Sequence, residues 1–266
     1  MSNYTFDNAW TAARQRLRGL QQLLDPGSMR HLEALGVGEG WRCLEVGAGA
    51  GSLTAWLCQR VGPNGSVLAT DLDTRFLENL DFPNLRVRRH DIVGEELPER
   101  GFDVVLSRMV LGHLPEREKA VQRMAAALRP GGWLVCEDSD SSTVALLSPA
   151  DEASRSLFAK VERAKDQAMA AHGHRYCGRE LYGLLRAAGL TEVQAEGRVP
   201  LLYAGTLGAE WKRLSVEQLR GEMVQAGLAS ASEIEAHLAL FGLPDFAAQG
   251  FLVMTAWGRR PQGNTP

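Results

Sequence analysis

The sequence predicts an α/β protein built on a doubly wound parallel sheet, and three observations carry that prediction. Five short apolar runs alternate with stretches of helical spacing between residues 41 and 138, the pattern of strands buried on both faces and joined by crossover helices. The acids Glu45, Asp71, Asp91 and Asp138 fall at or near the carboxyl ends of four of those runs, where open sheets of this kind bind ligands. The first run breaks into Gly47-Ala48-Gly49-Ala50-Gly51 before helical spacing resumes, which reads as strand, tight turn and helix start.

The elements follow in order. Residues 4–24 carry Phe6, Trp10, Ala13, Leu17, Leu20 and Leu24 at helical spacing, a helix with one apolar stripe. Pro26-Gly27 is expected to end it, and Met29, Leu32 and Leu35 suit a second helix over 28–35. Trp41, Cys43, Leu44 and Val46 form the first strand, and Leu53, Trp56, Leu57 and Val61 the helix after the glycines. Gly62-Pro63-Asn64-Gly65 is a turn into the second strand, Ser66–Asp71. Asp73 is placed to cap a helix over 73–80. Leu85–Ile92 alternates as a third strand and Phe102–Ser107 is a fourth. Leu114-Pro115-Glu116 opens a helix, with Pro in its first turn. That helix runs to Leu128 and stops at Arg129-Pro130-Gly131-Gly132, before a fifth strand, Trp133–Asp138.

Beyond Ser139 the pattern turns helical. Leu157, Val161, Ala164 and Ala168 share a face over about 151–171, and Leu181, Leu184, Leu185 and Ala188 form a helix closed by Gly189. Thr191–Pro200 reads as a strand, 206–242 as mostly helical with a break at Ala226-Gly227, and Phe251–Trp257 as the last strand. A tail from Arg259 to Pro266 is expected to be disordered. The expected organisation is an N-terminal helical cap (1–40), a core of 41–200 and 249–260 with a helical insertion at about 139–175, and a second helical insertion at 201–248.

Composition narrows the function. The 266 residues are 45% hydrophobic with a formal net charge of -3, enough chain for a sizeable core and no basic face for nucleic acid. Arg86, Arg88 and Arg89 are too few and sit on a predicted strand. The partner expected is therefore a small molecule, with no nucleic acid and no membrane, for a monomer or homodimer. The four cysteines are scattered, Cys43 and Cys136 lie inside strand patterns, and no metal-ligand spacing appears. The N-terminus has no basic segment followed by an apolar stretch, so a reduced, cytoplasmic protein is expected. The excess of Arg over Lys with abundant Ala and Gly suggests a GC-rich bacterial source.

The glycine turn decides more. Counting from Gly47 and Gly49 puts Ser52 where the third glycine of a dinucleotide fingerprint belongs, and no Lys follows to grip a phosphate. What stands here is Glu45-x-Gly47-x-Gly49-x-Gly51. This resembles the first motif of the class I S-adenosylmethionine-dependent methyltransferases, whose cofactor has an adenosine but no phosphate. Asp71, 20 residues after Gly51, fits a ribose-binding acid. Asp91 and Ile92 match the family's adenine position, and Leu-Arg-Pro-Gly-Gly before an apolar strand is typical of it. The resemblance covers about half the chain closely. It implies a seven-stranded sheet, six strands parallel and the last antiparallel, with helices on both faces and helical insertions over the strand ends. It implies a cofactor set of Glu45, Gly47, Ala48, Gly49, Gly51, Asp71, Leu72, Asp91, Ile92, Ser107 and Arg108, with Tyr4 and Trp10, and secondarily Arg14, from a covering N-terminal helix.

Methyl transfer from a sulfonium is a direct displacement, so alignment and exclusion of water dominate, and a base is needed only if the acceptor must lose a proton. His113 suits a general base, though His-Leu-Pro-Glu also recurs in the family as scaffold. Arg108 suits an anionic or carbonyl acceptor, or pairs with an acid such as Asp138. His174, Arg175 and Tyr176 are further substrate contacts to consider. Trp211, Tyr203 and Phe241 suggest an aromatic or hydrophobic acceptor, as in enzymes of specialised metabolism or quinone-type rings. A cofactor-binding protein of the same fold that performs another reaction, such as a cyclisation, is the alternative. A NAD-dependent oxidoreductase ranks below both.

Overall fold

The computed structural model describes residues 10–97, 99–170 and 176–262. In chain order the helices and strands are α1 (Ala13–Ala34), β1 (Arg42–Val46), α2 (Ser52–Val61), β2 (Ser66–Asp71), β3 (Leu85–Arg89), β4 (Phe102–Arg108), α3 (Arg117–Ala127) and β5 (Leu128–Asp140). They continue with β6 (Ala145–Ser148), α4 (Glu152–Ala170), α5 (Cys177–Ala187), β7 (Thr191–Arg198), β8 (Leu201–Tyr203), α6 (Leu207–Gln218), α7 (Arg220–Gln225), α8 (Ala231–Leu240), β9 (Ala247–Gln249) and β10 (Leu252–Arg259). The chain divides into two compact units. One comprises Asp25–Asp138, Cys177–Gly197 and the chain from Met254; the other comprises the chain up to Leu24, Ser139–Tyr176 and Arg198–Val253.

The first unit is the expected sheet: seven strands in the order β3-β2-β1-β4-β5-β10-β7, six parallel and the last in sequence antiparallel. β1 pairs in parallel with β2 (Leu44 opposite Leu68) and with β4 (Glu45 opposite Leu106). The chain progresses outward in both directions from this pair of strands, so the end of β1 is the topological switch point, where such sheets leave a crevice. Strand burial explains the apolar runs. Cys43, Leu44, Val67, Val104, Val105, Leu134 and Cys136 are all inaccessible or nearly so, sandwiched between the layer of Ala120, Val121, Met124, Leu181 and Leu185 and the layer of Leu32, Val37, Leu57 and Val61. The four cysteines are free and buried.

Two expectations near the sheet fail for local reasons. The helix does not stop at Pro26-Gly27; α1 runs unbroken from Ala13 to Ala34 with Pro26 inside it. Proline removes one donor and loosens the carbonyls of the preceding turn. The carbonyl that Pro26 leaves without its helical donor is Gln22 O; beside it the Arg198 guanidinium donates to Leu23 O at 3.3 Å and Leu24 O at 3.1 Å, tying down the same turn. Residues 73–80 form turns, not a helix. Asp73, the expected cap, spends its carboxylate on Arg75, taking its backbone N–H at 3.3 Å and its guanidinium at 2.8 Å.

The second unit holds an element the helical pattern hid, an antiparallel sheet of three short strands in the order β6-β9-β8. Leu202 and Leu146 both lie opposite Ala248, and the three pack against Phe158, Phe241 and Phe246. Trp211 meets Phe251 edge-on at 5.4 Å. Trp211 and Phe241 are thus buried packing residues, while Tyr203 is half exposed. Between α4, α6 and α8 lies a buried ionic cluster. Glu162 sits 2.7 Å from Lys165, 2.6 Å from Lys212 and 3.6 Å from His237. The two ammonium groups hold Glu162 well below the usual carboxylate range against its burial. Burial, with the neighbouring charge of Lys165, brings Lys212 down to about 8, whereas Lys165, facing both Glu162 and Asp166, is raised.

Candidate functional site

The glycine turn leaves β1 at the switch point. Gly47, Gly49 and Gly51 all have positive φ (74°, 57° and 77°), the region that penalises a Cβ. Gly47 also touches Val110 so closely that a Cβ there would lie 2.2 Å from its Cγ2. At Gly49 nothing lies within 4 Å of a Cβ position, so that residue presents bare backbone to open space. Gly47 and Ala48 donate to Thr70 O at 2.8 and 3.1 Å, fastening the turn to β2, and Ala48 packs on Ala69 and Leu77.

Asp71, at the end of β2, organises the next layer. One carboxylate oxygen accepts Gly49 N–H at 2.9 Å and the other accepts Asp73 N–H at 3.0 Å. Burial raises its carboxyl above the ordinary range in spite of these donors. Leu72 beside it is exposed, and its carbonyl accepts from Arg89 at 3.1 Å. Asp91 closes the edge after β3, with Oδ1 accepting Val93 N–H at 2.9 Å, and Ile92 turns into the core.

Glu45 is 3% exposed and accepts a short hydrogen bond from Thr54 Oγ1 on α2. Burial pushes its carboxyl up to about 7, although the Thr54 hydroxyl and the Arg108 guanidinium favour the charged form. Arg108 ends β4 and is tied by Nη1 to Asp25 at 2.8 Å and Ser28 Oγ at 3.1 Å. Asp25 also accepts Ser52 Oγ at 3.0 Å, and Ser28 donates to Glu137 at 2.9 Å, whose other oxygen takes Thr255 Oγ1 at 2.8 Å. Arg108, Ser28, Glu137 and Thr255 border a cavity of about 10 Å³, room for about one water. Arg108 therefore pairs with Asp25 and not with Asp138, whose Oδ2 accepts Gly112 N–H at 2.9 Å. Asp138 thereby fixes the 3-10 turn Leu111–His113 that carries His113. Ser107 is buried in β4.

The structure thus gathers Glu45, the three glycines, Asp71, Ser107 and Arg108 round one end of the sheet's centre, with Asp91 at the end of β3. Trp10 is half-buried ahead of α1, its carbonyl accepting Ala13 N–H at 2.9 Å. Tyr4, His174 and Arg175 lie outside the described residues; Tyr176 is half-buried before α5. Sequence reading missed Asp25, Ser28, Thr54 and Glu137. Asp25 and Ser28 flank the Pro26-Gly27 pair that looked like a helix end, and only a continuous α1 carries both inward together.

The profile of the methyltransferase domain family matches residues 8–195. The chain belongs to this family. Among curated relatives, 113 residues are 34% identical to methyltransferase str2 of Strobilurus tenacellus, covering 41% of this chain and 39% of that protein. A further 120 residues' match, 28% identical, is to the demethylmenaquinone methyltransferase of Staphylococcus aureus, covering 43% of this chain and 50% of the relative. The chain thus spans half or less of the relatives' length. The fold resembles that of YcgJ from Bacillus subtilis, with a TM-score of 0.55 at 16% identity over 88% of this chain and all of the other. It also resembles Haemonchus contortus phosphoethanolamine N-methyltransferase 2 in complex with S-adenosyl-L-methionine, with a TM-score of 0.52 at 15% identity over 98% of this chain and 55% of that one.

Proposed function

We propose that the chain is an S-adenosylmethionine-dependent methyltransferase acting on a small, aromatic or hydrophobic acceptor. The observation that carries the reading is the open, positive-φ turn Gly47–Gly51 set among Glu45, Asp71 and Asp91. That set of groups suits a cationic, phosphate-free nucleoside: bare backbone for close approach, carboxylates for hydroxyls and amine, and no cation on the turn to hold a phosphate. The demethylmenaquinone relative and the solved complex with the sulfonium cofactor support the same reading. When bound, the sulfonium supplies an electrophilic methyl group.

In this reading Asp71 uses the lone pairs left by Gly49 and Asp73 to accept the ribose hydroxyls. Asp91 accepts the adenine amino group, with Ile92 against the ring. Gly49 gives the methionyl part its approach. Arg108, held by Asp25 and Ser28, orients an acceptor with a carbonyl or anionic oxygen, and His113 takes the acceptor's proton where one must leave. Calorimetric titration with S-adenosylmethionine, S-adenosylhomocysteine and NAD tests the reading. Micromolar binding of the two sulfur nucleosides without NAD is expected; folded protein that binds neither overturns it.

A further inference from the structure

We propose that Arg123 is a positioning residue for the loop that reads the adenine ring, acting through backbone carbonyls from the outer side of the sheet. The inference rests on the cofactor reading above and assigns a role to a residue outside the family motif. Arg123 stands on α3, whose Ala120, Val121, Met124 and Ala127 are buried against the sheet. From the flank of that face its guanidinium reaches the turn that follows β3. Nη1 donates to Ile92 O at 2.9 Å, Val93 O at 2.5 Å and Glu95 O at 2.8 Å. Nη2 pairs with Glu96 at 3.2 Å. The side chain is 16% exposed against 73% for Glu96, so the carbonyl contacts are the sheltered part of the arrangement.

Three carbonyl dipoles converging on one point repel one another unless a cation sits at their focus. The turn they belong to also carries the two residues assigned to adenine. Asp91 Oδ1 accepts Val93 N–H at 2.9 Å, Asp91 O accepts Glu95 N–H at 2.8 Å, and Asp91 N–H donates to Glu95 Oε2 at 3.3 Å. Ile92 is 5% exposed and packed in the core. Moving carbonyls 92, 93 and 95 therefore moves the Asp91 carboxylate, while the Ile92 side chain stays held by the core it packs in. All three carbonyls meet one nitrogen, so a lysine ammonium would keep part of this arrangement while losing the Nη2 pairing with Glu96.

The test is a thermodynamic cycle measured calorimetrically on the full chain. Wild type, Arg123→Ala and Arg123→Lys are each titrated with S-adenosylhomocysteine and with S-inosylhomocysteine, which carries an oxygen in place of the adenine amino group. Arg123→Ala is expected to bind the adenosyl ligand about tenfold more weakly, yet the inosyl ligand within about twofold of wild type, because the latter has already lost the contact the loop positions. Arg123→Lys is expected to lie between, and carries the test by itself if the alanine variant does not fold. An equal penalty for both ligands, or none for either, overturns the proposal. Wild type that binds neither ligand overturns the cofactor reading instead, and wild type that binds both equally overturns the adenine role of Asp91.

Discussion

Replacing Glu45 with Gln is expected to make the protein more stable at neutral to alkaline pH and worse at holding a cationic ligand. The carboxyl is 3% exposed, and burial lifts it from an ordinary 4.5 to about 7. The folded state thus holds the Glu45 proton more tightly than the unfolded state does. Below pH 4.5 both states are protonated and the group costs nothing. Between 4.5 and 7 stability falls by about 1.4 kcal/mol per pH unit, and above 7 the cost levels at about 3 kcal/mol. Glutamine keeps an acceptor for Thr54 and does not titrate. Its advantage over wild type should be near zero at pH 4.5 and grow to about 3 kcal/mol at pH 8, or roughly 6–12 °C in melting temperature for a chain of this size. Thermal unfolding of both proteins at pH 5 and pH 8 measures the difference. Equal pH responses, or a less stable variant at pH 8, would refute the argument. The functional half is read by calorimetry. Losing a buried negative charge should weaken the sulfonium S-adenosylmethionine several-fold more than the uncharged thioether S-adenosylhomocysteine.

Gly47→Ala should abolish nucleoside binding and destabilise the fold by about 1–3 kcal/mol, because its Cβ meets Val110 at positive φ. Gly49→Ala, facing open space, should cost about 1–2 kcal/mol while also abolishing binding; chemical denaturation beside calorimetry separates the two. Glu162→Gln leaves Lys165 and Lys212 buried without their shared carboxylate and should destabilise by about 3–5 kcal/mol. Introducing Lys212→Met alongside should recover part of it, as read by denaturation midpoint. In wild type the unfolded chain holds the Lys212 proton more tightly, so this group should add stability as pH rises from about 8. His113→Ala should lower turnover at least tenfold with cofactor affinity within about twofold; an unchanged rate assigns the residue to scaffold.

Much of the sheet was written in the sequence because strands buried on both faces leave unbroken apolar runs, as at Cys43–Val46 and Val104–Leu106. The glycine turn was legible for a similar reason, since positive φ at three alternate positions leaves little but Gly. What escaped depends on partners far along the chain. Nothing near Pro26 announces that Arg198 donates to Leu23 O and Leu24 O, and a helix read as ending at Pro26 cannot carry Asp25 to Arg108. Strands of three or four residues, such as Leu201–Tyr203, are too short to display a period of two. Arg123 sat in a helical pattern as one more polar flank residue. Its meaning lies in three carbonyls, which side-chain identity does not encode.

β7, at the sheet's edge, has a single neighbour, and that neighbour is β10. As the polypeptide leaves the ribosome from its N-terminus, β1 to β5 can assemble in turn, but β7 emerges to find the place beside β5 still empty. It must wait while residues 199–259 are synthesised, and until then both β5 and β7 offer unsatisfied ladders to any passing strand. Nascent chains halted before residue 252 should therefore be the ones that chaperones hold and that self-associate, and release of the last strand should end both at once.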